Sequence, residues 1–75
     1  MNKDRKKKID ALTGPIEDLM GQVQEILDEE QEYLDNMPEN LQGSDKYSRA
    51  EEAISAMQEA VDNLQAAVDS LQNIE

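Results

Sequence analysis

Residues 36–44 read Asn36-Met37-Pro38-Glu39-Asn40-Leu41-Gln42-Gly43-Ser44, and this stretch decides the fold. Pro38 stops a helix arriving from its N-terminal side, because it has no N–H and pushes the residue before it away from helical angles. Gly43 breaks helix from the other side. Ser44 followed by Asp45 supplies a cap and an acidic first turn for a new helix. An interruption this short leaves its two neighbouring helices antiparallel.

Upstream of the loop, Ile9, Leu12, Ile16, Leu19, Val23, Ile26, Glu30, Tyr33 and Met37 alternate spacings of three and four. This is a heptad a/d pattern, interrupted only at Glu30. Met20, Leu27 and Leu34 form a second row that widens the apolar stripe, as a core-facing bundle helix requires. Gly14-Pro15 falls inside the series, and two readings stand. Either a short helix ends near Leu12 and a new one starts with Thr13 as cap and Pro15 in its first turn, or one helix is kinked there. The register runs through without a skip, which favours a kink or a very tight break.

Downstream, Tyr47, Ala50, Ile54, Met57, Val61, Leu64, Val68 and Leu71 keep strict a/d spacing. Ala53, Ala60 and Ala67 make a neighbouring row of small residues, open to the close approach of another helix. Ala60-Val61-Asp62-Asn63-Leu64-Gln65 and Ala67-Val68-Asp69-Ser70-Leu71-Gln72 are near copies seven residues apart, an internal heptad repeat.

The pattern predicts an all-α protein, one antiparallel helical-hairpin domain over residues 1–75. One helix is expected at about 3–36, a loop at about 37–44 and a second helix at about 45–74. Each helix is roughly 45 Å long at ~1.5 Å per residue. A chain of 75 residues sits near the lower limit of independent stability. With no Cys and no His, disulfides and the common thiolate and imidazole metal sites are excluded, and oligomerisation is the remedy left. A single hairpin cannot cover both stripes. Two make a four-helix bundle with two-fold symmetry, and a higher homo-oligomer is the other outcome. The expected oligomer core is Ile9, Leu12, Ile16, Leu19, Val23 and Ile26 from helix one, with Ile54, Met57, Val61, Leu64, Val68 and Leu71 from helix two.

Charge is polarised along the chain. Residues 1–8 carry Lys3, Arg5, Lys6, Lys7 and Lys8 against Asp4, a net +4. Residues 9–75 carry only Lys46 and Arg49 against 17 acids, a net −15, which gives the chain its −11. So negative a protein is a poor ligand for duplex nucleic acid, whose affinity comes mainly from phosphate neutralisation. In a hairpin the basic segment lies beside Asp69, Glu75 and the negative end of the second helix dipole, and so serves the fold itself.

No apolar run approaches the ~20 residues of a membrane span, and the basic start lacks the apolar stretch of a signal peptide. The expected location is cytoplasmic. Nothing reads as catalytic: there is no Gly-rich phosphate loop and no Ser in a nucleophile setting, so an enzyme is not expected, nor a cofactor. Asp28, Glu29, Glu30, Glu32 and Asp35 crowd together, but the Glu-x-x-His pairs of di-metal bundles are missing. The segment from Asp35 to Lys46 fails as a calcium loop, with Met37 third and Lys46 twelfth. A solvated acidic face is the expectation, and no metal site. Glu30, at an a position, either reaches solvent as the seam frays or meets a cation from Lys46 or Arg49.

The loop end is the most informative patch. Tyr33, Asn36, Asn40, Ser44, Lys46, Tyr47 and Arg49 gather there: both tyrosines, the only cations outside the basic segment, and amide and hydroxyl groups. The helix N-terminus adds backbone N–H groups that favour anions. Aromatic faces beside cations are the ingredients of a nucleotide or phosphate pocket. The plainer account is that Tyr33 and Tyr47 fill seam positions and close the bundle end. An acid-rich rod can also imitate the phosphate pattern of DNA, although acidity alone serves solubility equally well.

The segment Glu29-Glu30-Gln31-Glu32-Tyr33-Leu34-Asp35-Asn36-Met37-Pro38-Glu39-Asn40-Leu41-Gln42-Gly43-Ser44, with Tyr47 and Ala50-Glu51-Glu52-Ala53, resembles short acidic helical proteins encoded by phages and prophages of Firmicutes and gut bacteria. The resemblance covers about the second two-thirds of the chain and brings over no catalytic or binding residue. It implies a mobile-element origin and, by association, action on a host protein in the host cytoplasm. Three functions are therefore expected in order. The first is a non-enzymatic phage-type interaction protein, such as an anti-defence inhibitor that binds a host protein. The second is an oligomeric sponge that sequesters a nucleotide second messenger at the loop end. The third is a structural or assembly component, or a DNA mimic.

Overall fold

A computed structural model describes all 75 residues. Helix α1 runs over Lys3–Asp35 and helix α2 over Asp45–Gln72, with a single 3₁₀ turn at Glu39–Leu41 between them. No strand is present. Asn2 caps α1, its side chain accepting from the Arg5 backbone N–H at 2.9 Å. Ser44 caps α2 as expected, its Oγ accepting from the Tyr47 backbone N–H at 3.3 Å. At the end of α1, the Asn36 and Met37 amides donate to the carbonyls of Glu32 and Leu34, and Pro38 then stops the helix.

The two-helix reading of Gly14-Pro15 does not hold. Helix α1 is continuous from Lys3 to Asp35 with Pro15 inside it, and Thr13 is not a cap. Its Oγ donates instead to the Asp10 carbonyl at 2.8 Å, the back-bonding available to a threonine within a helix. Pro15 leaves only the Ala11 carbonyl without its usual N–H. The remaining turns of a 33-residue helix packed along α2 outweigh that single loss.

The helices are antiparallel: the Lys6 side chain donates to the Ile74 carbonyl at the open end. The basic segment thus lies against the C-terminal end of α2, where the dipole favours a cation. The result is a rod of 59 × 14 × 12 Å. Its radius of gyration is 17.4 Å, against about 11 Å for a compact domain of this length. Only Leu27, Met37, Ala50 and Val68 are buried. The chain exposes 5703 Å², roughly 1,000 Å² more than a compact monomer of 8.5 kDa would. Four glutamines donate to aspartates four residues on: Gln24 to Asp28, Gln31 to Asp35, Gln58 to Asp62 and Gln65 to Asp69. These i, i+4 bonds brace both helices locally, at about 0.2–0.5 kcal/mol each.

The seam shows how α1 is turned. On α2 the expected row packs inward: Tyr47, Ile54, Met57, Val61, Leu64 and Leu71 are partly buried, and Ala50 and Val68 fully. On α1, Ile9, Ile16 and Val23 pack with the second row, Met20, Leu27 and Leu34, and with Thr13. The d row does not join them. Leu12, Leu19, Ile26 and Tyr33 are 55%, 54%, 55% and 49% exposed.

Candidate functional site

Leu12, Leu19, Ile26 and Tyr33 are spaced by seven residues, so they form one line along α1. α2 already engages the two rows beside them, and this third row is left over. Tyr33 and Lys46 line the same two grooves, which places the line on the side of the hairpin that Lys46 faces. Lys46 stands seven residues before Ala53, so Ala53, Ala60 and Ala67 flank that same side. Ala53 and Ala60 are partly buried and Ala67 is exposed. The other side of the hairpin is different: Leu34 and Met20 are edged there by Gln31, Glu51, Gln58, Gln65 and Gln72. One long side therefore sets bulky apolar residues beside small ones, edged toward the loop by Glu29, Glu30, Glu32, Lys46 and Arg49, and the opposite side has a rim of glutamines with Glu51.

At the loop end the apolar side opens into a groove of about 790 Å³. Tyr33, Met37, Pro38 and Leu41 give it apolar surface, and Glu29, Glu32, Asn36, Ser44, Asp45 and Lys46 give it polar groups. The chain folds this way because Pro38 ends α1, the 3₁₀ turn carries Leu41 back, and Met37 is buried beneath the loop at 8% exposure.

Four of the seven residues expected to form a loop-end site, Tyr33, Asn36, Ser44 and Lys46, line this groove. Three do not. Asn40 is exposed on the 3₁₀ turn. Tyr47 is partly buried in the seam. Arg49 lines a separate groove of about 370 Å³ with Glu30, Tyr33, Lys46 and Ala50. The tyrosines thus divide: Tyr47 has the core position and Tyr33 faces outward. Ser44 is engaged in capping, and its Oγ also donates to the Leu41 carbonyl at 2.5 Å. Glu30 is partly buried and shares its groove with Lys46 and Arg49.

The sequence reading did not find the groove's apolar floor or its carboxylates. The available signal was Leu41, a lone aliphatic residue in a polar loop, which remains 44% exposed. Three acids against one lysine set the electrostatics, so the groove favours a cation over an anion. No group of acidic side chains is arranged to hold a metal ion, and no helix is long and apolar enough to cross a membrane. Comparison with protein-family models, with curated proteins and with solved structures finds no match.

Proposed function

We propose that this chain is a non-enzymatic interaction protein whose working form is a homo-oligomer of hairpins. The observation that carries the reading is the exposed line Leu12, Leu19, Ile26 and Tyr33. Four large apolar side chains, each about half open and set in one line along a helix, support an interaction surface on this side. The thin core of the single hairpin supports the same conclusion, since four buried residues give a chain of this size little to stand on. The resemblance of residues 29–53 to phage and prophage proteins supports a mobile-element origin, with a host protein as the eventual target and defence inhibition as the purpose. Native mass spectrometry, on the purified protein and after incubation in host lysate, tests the reading. An oligomer that retains a stoichiometric host protein is expected. A bare 8.5 kDa species under both conditions would overturn it.

A second reading, sequestration of a nucleotide signal, draws on Tyr33, Asn36, Ser44 and Lys46 lining one groove. Glu29, Glu32 and Asp45 in the same lining oppose an anionic ligand, so this reading ranks below the first. Its test is a thermal shift with a panel of cyclic and ADP-ribose-type nucleotides. No shift across the panel would end it.

A further inference from the structure

We infer that the occupant of the apolar side is a second copy of this chain, packed with its loop at the opposite end, so that its basic segment enters the acidic loop-end groove. This rests on the homo-oligomer reading and adds to it a direction, a register and an occupant for the groove.

Charge decides the direction. Residues 25–52, the loop end, carry ten acids against Lys46 and Arg49, a net −8. The open end, residues 1–14 and 66–75, carries five bases against Asp4, Asp10, Asp69 and Glu75, a net +1. Charges on one rod are screened from each other over most of its 59 Å, because the Debye length is about 8–10 Å. What counts is the end each copy meets across the interface. Copies with their loops together place −8 beside −8. Copies with loops apart place −8 beside +1 at both ends.

The apolar rows agree with that choice. Two hairpins stacked with loops apart bring α1 over α1 and α2 over α2, each antiparallel. The line on α1 is then its own partner: Leu12 meets Tyr33 of the second copy, and Leu19 meets Ile26. One two-fold axis serves both helices, and the α1 line sets it between Gln22 and Val23. The Lys6–Ile74 bond and the loop from Asp35 to Asp45 set a register that places Met57 and Gln58 at about that height on α2. Ala53 and Ala60 lie on either side of that point, and these small residues let the two α2 helices close.

The same register fills the groove. Arg5 stands seven residues before Leu12 and Lys8 seven before Pro15, so both continue the paired side of α1, and both are exposed. Lys8 arrives at the height of Met37 and Arg5 at the height of Asn40 of the second copy. There the groove offers apolar surface to the Lys8 stem, and carboxylates from Glu32 and Asp45 to the charged heads. A face roughly 50 Å by 20 Å buries on the order of 1,000 Å² per copy, enough for a stable interface. It is also about the excess surface that the single hairpin exposes.

Zero-length carbodiimide coupling of the unaltered protein, with the joined peptides mapped by mass spectrometry, tests the arrangement. Lys8 and Glu32 are about 36 Å apart along one α1, so a Lys8 link to Glu32, Glu39 or Asp45 forms only between copies. That link is the expected result. End-to-end contact is separated by a second measurement. The chain has no cysteine, so a Leu12→Cys chain mixed with a Tyr33→Cys chain and treated with a short bis-maleimide gives mixed dimers only when the lines face each other antiparallel. Dimers by native mass spectrometry that lack both links overturn the arrangement and leave self-association standing. A monomer overturns both.

Discussion

Ile26 and Leu27 are adjacent in the chain and meet different fates: Leu27 is 6% exposed in the seam with α2, while Ile26 keeps 55% of its surface open. This one step around α1 separates what holds the hairpin together from what it leaves open. The two residues therefore answer to different measurements.

Leu27→Ala removes a buried side chain from a very small core. It should cost about 2–5 kcal/mol of hairpin stability, read as a lower urea midpoint by circular dichroism at every protein concentration. Ile26→Ala should leave the midpoint nearly unchanged at high dilution and lower it only where copies associate, because association stabilises by mass action. Equal losses at all concentrations for both variants would contradict the division.

Pro15 costs α1 a hydrogen bond at the Ala11 carbonyl, and the residue is exposed. Pro15→Ala restores the donor and removes the ring. Interior proline is unfavourable by about 3 kcal/mol, so a gain of up to that size is expected in thermal melts. A loss would mean that the proline shapes α1 for its packing.

Gly14 and Gly21 lie within α1, no glycine has a positive φ, and a Cβ at either position meets nothing within 4 Å. Alanine at each should stabilise by about 0.5–1 kcal/mol. For a chain of this size each kcal/mol corresponds to about 4–8 °C in Tm. The double variant is the sensitive form of the test, and an unchanged Tm would argue against a continuous α1.

Ser44 satisfies two backbone groups, the Tyr47 amide and the Leu41 carbonyl. Ser44→Ala should cost about 1 kcal/mol and speed amide hydrogen exchange in the first turn of α2. Ser44→Asp, which keeps an acceptor there and adds charge at the positive end of the dipole, should recover most of that stability.

Raising salt should lower the yield of Lys8 links to Glu32, Glu39 or Asp45 between copies while leaving the helicity of each hairpin nearly constant, because the contact of opposite charges at each end is screened and the aliphatic seam is not. Carbodiimide coupling at low and high salt reads this directly. A link yield that salt leaves unchanged would point to an arrangement held by apolar contact alone.

The helices, the loop, the Ser44 cap and the inward row of α2 were legible in the sequence, because each depends on local chemistry. Pro38 cannot continue a helix, Ser44 can cap one, and strict a/d spacing on α2 offers only one apolar face. Helix α1 was different. Its apolar residues occupy three rows, and a seam with one neighbouring helix accommodates two. Periodicity names the rows without choosing among them. Rotation of α1 about its axis, fixed by the loop and by the fit against α2, buried Leu27 and left Ile26 and Tyr33 outside. The loop-end groove depends on that same rotation, which turns Tyr33 outward, away from the seam that Tyr47 occupies. The sequence by itself determined that two amphipathic helices fold back on each other. Only the tertiary structure decided which stripe remained exposed, because that choice depends on how two whole surfaces fit and not on the properties of any one residue.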